Sequence, residues 1–326
     1  MKQAKVHDQG LDNLRAFAIF IVVLGHSIIL YSGSWGIYHA ERASALFHYM
    51  KEVINLFQMP LFFSLSGYLF ATTAKTDSFV GFAIKKIKRL IVPHLFIGLA
   101  YMIPIKMLIH YPGYHGVSYV GAVKRLLIGA DMGHLWFLPT LFLFFSFSFW
   151  IKKLLGNKSR VWLVTSVLAA ALSLFHWKTG PYWIYIYYFF QYYWSFAFGA
   201  LLSEMDLHKV SIPWKLSVGC AALLAAGVSI YMRTPLLSLA ASVVITLTCY
   251  LLASDTGGKL MNLISKNSFG IYLFHSPLIY ITFTYMLNAA PVVVFVINFF
   301  LFGSLAFFLS IVLSKTSVKY LLGQWP

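Results

Sequence analysis

Leu11–Ser27, LDNLRAFAIFIVVLGHS, reads as the opening of a membrane helix, with an arginine at its entrance and a histidine inside its apolar run. Arg15 and His26 stand eleven residues apart. At about 100° per residue that is three turns plus roughly 20°, so both side chains leave the helix on nearly one face. At about 1.5 Å of rise per residue they are separated by roughly 16 Å in depth. Ionisable groups within a span are expensive and mark a functional site by default.

Composition supports the same class. Of 326 residues, 60% are hydrophobic, 18% aromatic and only 10% charged, too few polar side chains to cover a soluble surface. The net charge of +16 is dispersed in clusters between apolar segments. Cations placed so are topology signals beside anionic lipid, and nucleic-acid binding is rejected. Cys220 and Cys249 both fall in apolar segments and suggest neither a disulfide framework nor a metal site. The first apolar run is about as long as a full span and lacks a small-residue cleavage site after it, so no cleavable signal is expected.

Ten candidate spans follow, at approximately 14–32, 53–74, 90–109, 134–151, 161–177, 182–203, 214–232, 235–253, 268–287 and 291–314. Ten spans leave both termini on one side. Eighteen basic residues fall on that side: Lys2, Lys5, Arg15, Lys75, Lys85, Lys86, Lys88, Arg89, Lys152, Lys153, Lys158, Arg160, Lys209, Lys215, Lys259, Lys266, Lys315 and Lys319. Seven lie at or towards the other: Arg42, Lys51, Lys106, Lys124, Arg125, Lys178 and Arg233. The imbalance puts both termini in the cytoplasm. The expected architecture is an all-α polytopic membrane protein of about ten transmembrane helices, one domain over 1–326, with no internal repeat.

Two outer connections, 33–52 and 110–133, carry Trp35, Tyr38, His39, His48, His110, Tyr111, Tyr114, His115 and Tyr119. Such rings could stack on a sugar, and they equally make an interfacial belt. Tyr119–Ala130 has helical apolar spacing with Lys124 and Arg125 on its polar side, as in a helix along the outer leaflet. On the inner side, Asp77 or Ser78 is positioned to cap a short amphipathic helix running through KKIKR, and Pro93 is expected near the first turn of the third span.

His26 is the best candidate for chemistry, since a neutral imidazole in a partly dry bundle can take a proton from a hydroxyl and return it to a leaving group. The structural alternative is a histidine bonded to a neighbouring helix. Arg15 is in the first helical turn, where the helix dipole disfavours a cation, so an anion is expected nearby: Asp12, a lipid phosphate or a ligand. Lys85, Lys86, Lys88 and Arg89 put at least three charges on one helical face, suited to a nucleotide or coenzyme phosphate and equally to lipid headgroups.

FQMPLFFSLSGYLF, Phe57–Phe70, contains Pro60, Ser64, Ser66 and Gly67 and is expected to kink and approach the first helix closely. His134 and Trp136 open the fourth span, and His275 and Ser276 lie inside the ninth; a bundle could bring them to the cavity of His26. The spacing Glu204, Asp206 is a weak signal for a metal-dependent glycosyltransferase. No P-loop, HExxH, Cys-rich or GxSxG motif is present.

LDNLRAFAIFIVVLGHS, FQMPLFFSLSGYLF, KKIKRLIVP, GHLWFLP and NSFGIYLFHSP, in this order and spacing, resemble the acyltransferase-3 family of integral membrane acyltransferases, many of which O-acetylate bacterial surface polysaccharides. The resemblance implies a ten-helix core in a bacterial inner membrane, cytosolic acetyl-CoA as acyl donor without a metal, and a saccharide acceptor. The family's arginine and histidine fall on Arg15 and His26. Its arginine pair before the third span falls on Lys86 and Arg89, and lysine at the first position keeps charge but loses bidentate phosphate geometry. On this reading Arg15, Lys85, Lys86, Lys88 and Arg89 hold CoA, His26 is general base or nucleophile, and Ser66, His134, Trp136 and His275 face the substrate. Ser66, His134 and Tyr272 are candidate oxyanion donors. Membrane lipids and a second copy of the chain are possible partners. The alternatives are a glycan or lipid-linked saccharide transporter, or transfer of succinyl or a longer acyl group.

Overall fold

The computed structural model describes residues 8–33, 43–253 and 256–325, so Lys2, Lys5, Trp35, Tyr38, His39 and Arg42 lie outside the described residues. Among the described residues there are helices and no strand. The helices are α1 (Gln9–Ser27), α2 (Ala45–Thr73), α3 (Phe79–Leu108), a short α4 (Tyr119–Leu127), α5 (Gly133–Leu155), α6 (Ser159–Ser173), α7 (Ile184–Leu202), α8 (Ile212–Met232), α9 (Pro235–Leu252), α10 (Lys259–Tyr285) and α11 (Pro291–Ser314). Apart from α4, a helix stands at each of the ten places read from hydropathy. Seven, namely α1, α2, α3, α5, α8, α9 and α11, are long and apolar enough to cross a membrane. The protein is an all-α polytopic membrane protein.

The other three have physical reasons to fall short by composition. α6 has only 15 residues. α7, IYIYYFFQYYWSFAFGALL, substitutes tyrosine for aliphatic residues on the side that meets α5. α10 buries Asn267, Ser268, His275, Ser276 and Thr282 along with its apolar residues. A helix so polar is stable in a bilayer only at the centre of a bundle, and α10 is flanked by α1 and α11. α2 packs on α1, α7 and α9, while α6 lies on α7 and α8 on α9.

Three local expectations change. α2 continues unbroken through Pro60, and its close approach is to α7 rather than α1. A Cβ on Gly67 would fall inside the carbonyl oxygen of Phe196, and one on Gly199 inside that of Ser64. Second, α3 begins at Phe79, capped by the Ser78 hydroxyl accepting from Gly81 N at 3.3 Å. Pro93 is therefore in mid-helix. It follows a widened π turn at Ile87–Ile91, and Pro104 follows a second at Gly98–Met102, so the carbonyls that a proline leaves without an amide fall where the ladder is already loosened. Third, α2 starts at Ala45, which places Lys51 inside the helix rather than ahead of it. α4 forms as read, with Ala122 and Leu126 buried and Leu126 packed over Gly98 of α3.

The Gly67–Gly199 contact is the tightest seam between α2 and α7. Gly199→Ala should destabilise the bundle by about 2 kcal/mol or more, because backbone and not a flexible side chain has to move. Thermal or denaturant unfolding in detergent would measure it.

Candidate active site

α1 carries His26 in its last turn, α10 carries His275 at mid-length, and the turn entering α5 carries His134. The three rings meet. His26 and His275 have centroids 4.9 Å apart and His134 and His275 5.5 Å apart, each pair edge to face. His26, His134, Trp136, Phe137 and Tyr272, with Val22, Met59 and Phe62, line a cavity of about 30 Å3.

Hydrogen bonds fix the tautomers, because a ring nitrogen facing a carbonyl must donate. His275 Nδ1 faces the Tyr272 and Ile271 carbonyls at 2.9 and 3.1 Å, which leaves the lone pair on its Nε2. His26 Nδ1 donates to Val22 O at 2.8 Å and stands 3.3 Å from that His275 lone pair. The free lone pair of His26 is therefore on Nε2. His134 Nε2 donates to Leu273 O at 3.2 Å, and its buried Nδ1 has no partner among the described residues. The Tyr272 hydroxyl donates to His134 O at 2.6 Å, tying α10 to the turn that holds His134. This constellation can accept a proton at His26 and hold a polar atom at His134.

Trp136 stacks on Tyr188 of α7 at 4.0 Å, with Tyr192 beyond it at 5.5 Å. Trp136 is thus held by aromatic packing where it lines the cavity. Ser66 does not line the cavity, and its hydroxyl donates to Phe62 O of its own helix at 3.0 Å.

At the opposite, basic end, Arg15 donates to Asp12 at 2.9 Å, and the Ser265 hydroxyl donates to the same carboxylate at 2.8 Å. Asp12 is thus one anion beside Arg15. Lys86 lies 3.4 Å above the Phe145 ring, and Lys88 lies 4.6 Å above Trp325, whose indole donates to Lys88 O. The basic run does not present one uniform face: Lys85 is exposed while Lys86 turns inward. Arg89 is close enough to both Lys86 and Arg15 for their charges to repel. Arg89, between Lys86 of its own helix and Arg15 of α1, thus gathers positive charge that an anion would relieve. Among the described residues no group of three His, Cys, Asp or Glu could hold a metal ion.

Sequence reasoning assigned Lys51 and Lys106 to the outer charge tally, but both are buried, 3% and 2% exposed. Lys106 is bound by both Asp131 oxygens at 2.8 Å among the rings of Tyr111, Tyr114 and Tyr280. Asp131 also accepts from the Tyr114 hydroxyl at 2.7 Å and from Gly133 N at 3.3 Å, immediately before His134. The ion pair therefore anchors the turn that presents His134 and Trp136. Its sequence signal was a lone acid in a connection otherwise rich in rings.

Burial alone would raise the Asp131 carboxyl, but the Lys106 charge and the bonds from Lys106, Tyr114 and Gly133 outweigh it and hold its pKa below the usual range. A depressed folded pKa contributes stability above the unfolded value, near pH 4, that is lost as pH falls through the folded value. Asp131→Asn, which strands Lys106, should cost about 3 kcal/mol at neutral pH and flatten the acid limb of stability. Thermal unfolding in detergent between about pH 7 and pH 3 would read both effects.

A family model described as an acyltransferase domain, Acyl_transf_3, matches residues 8–315. No curated protein and no solved structure matches the chain.

Proposed function

The chain belongs to the acyltransferase-3 family, and from that premise we propose that it moves an acetyl group from cytosolic acetyl-CoA to a hydroxyl of a cell-surface or lipid-linked saccharide. It is a membrane acyltransferase, and the family match favours this over saccharide transport. The observation that carries the finer reading is the lone pair of His26 Nε2 at a cavity that His134, Trp136 and Tyr272 also line.

Arg15, Lys86 and Arg89 are at the basic end of α1 and α3, where CoA phosphates would relieve their mutual repulsion. Lys85 and Lys88 extend the positive field at that mouth. The thioester arm then follows α1 past Ile19 and Val22 for roughly 16 Å, about the reach of a pantetheine arm. The acceptor sugar packs against Trp136 where that ring lines the cavity.

His26 Nε2 takes the proton of the acceptor hydroxyl as its oxygen attacks the thioester carbon. His26 Nδ1, already donating to Val22 O and near His275 Nε2, has acceptors for the imidazolium that forms. The same proton passes to the departing thiolate. General base catalysis contributes about 10²–10⁴ in rate, and holding donor and acceptor together supplies much of the rest. In this assignment both termini are cytoplasmic and the membrane is the bacterial inner membrane.

Purified protein in nanodiscs, given acetyl-CoA labelled in its acetyl group together with envelope lipid and polysaccharide, should move label onto saccharide. His26→Ala should lower transfer by about 10²-fold or more while acetyl-CoA binding persists. Transfer at the wild-type rate in that variant would overturn the role of His26.

A further inference from the structure

Two polar groups beside His26 have no place in the mechanism so far. Lys51 and Gln58, 3% and 8% exposed, are seven residues apart on α2 and so share one face. That face meets Gly25, the neighbour of His26. A Cβ on Gly25 would fall 3.1 Å from Lys51 Nζ and 2.9 Å from Gln58 Oε1. Both groups thus converge on one spot against the α1 backbone, and the Lys51 charge is close enough to act on the His26 ring.

Neither group is satisfied within the protein. Lys51 has no ion pair or hydrogen bond among the described residues; Glu52, next to it in sequence, interacts with it through its charge alone. Gln58 Nε2 donates to Asn55 Oδ1 at 3.1 Å, which turns Oε1 away, and that buried oxygen has no donor. An unpaired ammonium in a membrane bundle is costly, and its usual explanation is a ligand. An unfilled acceptor next to it is a second, independent orphan.

The pair selects a ligand by chemistry. An ammonium only donates, and an amide oxygen only accepts. A carboxylate or phosphate would suit Lys51 and be repelled by Gln58 Oε1, and an amine the reverse. A hydroxyl accepts from the first and donates to the second.

We propose that Lys51 and Gln58 form a hydroxyl subsite of the acceptor saccharide beside His26. The inference rests on the acyl-transfer reading and names the part of the site that holds the acceptor. Lys51 and Gln58 bind one hydroxyl of the sugar and so set which neighbouring hydroxyl reaches His26 Nε2. At that hydroxyl the new C–O bond forms as the C–S bond of the thioester breaks, and the proton goes to His26 and then to the thiolate.

The test uses the full chain in nanodiscs with labelled acetyl-CoA and a titrated lipid and polysaccharide extract of the source cells. Lys51→Met and Gln58→Leu should each raise the half-saturating extract concentration about 10–100-fold, the worth of a hydrogen bond to a charged or buried group. The KM for acetyl-CoA should be unchanged, and Lys51→Arg should restore part of the acceptor affinity. A merely structural role would disturb donor and acceptor terms together. Equal loss in both terms, or variants that transfer like wild type, would overturn the subsite and leave the acyl-transfer reading standing. If the wild-type chain transfers no label, the acyl-transfer reading itself falls, and the subsite with it.

Discussion

Inside an apolar bundle a buried polar group is costly unless the chain itself supplies a partner, because lipid cannot and bulk water is absent. The seam of α1, α10 and α11 is built on that requirement. At the basic end Asp12 receives Arg15 and Ser265. Midway, Ser310 donates to Asn267, and Thr282 to Asn298, which in turn reaches Ser27 O. At the far end the Tyr31 hydroxyl donates to the Met286 and Ala289 carbonyls. Polar residues that keep α10 from reading as a lipid-facing span fix it to its neighbours: Asn267 and Thr282 to α11, and His275 to His26 of α1. His26 and His275 meet on this seam, so their juxtaposition follows from the same matching that orders the helices.

The two ends of α1 solve opposite electrostatic problems. At its basic end like charges gather, and Asp12 compensates Arg15 directly. At its histidine end the cavity is lined by Met59, Phe62, Phe137 and Trp136, with His26, His134 and Tyr272 carrying its polar groups. A donor with a polyanionic head and a neutral reactive tail matches that polarity along its length. A substrate with charge at both ends would match only one.

Much of this was legible in the residues themselves. The helix places, the Ser78 cap and the amphipathic Tyr119–Leu127 helix follow from local spacing, and local spacing survives folding. His26, His134 and His275 could each be singled out because a histidine in an apolar run is costly, but nothing in one sequence sets positions 26, 134 and 275 beside one another. Charges near span ends were misread for a definite reason. Hydropathy began the second span at about residue 53, while α2 begins at Ala45, so Lys51 was assigned to a boundary though it is buried. Lys106 falls inside the third span as read, at 90–109, but its pairing with Asp131 was not legible because that partner is on another segment. Pro93 was read as a helix start because sequence does not reveal the π turn that lets α3 run through it.

The size of the cavity bears on which acyl group the chain moves. About 30 Å3 leaves room for roughly two water-sized groups. Its walls are not loose: Phe137 packs on Tyr272 and on Phe62, and Trp136 is clamped against Tyr188. Met59 is the flexible member, with an unbranched side chain that can change rotamer without moving a helix. A long chain needs Phe62 or Phe137 to leave its packing. The aromatic packing therefore keeps the space beside His26 small unless Met59, Phe62 or Phe137 moves.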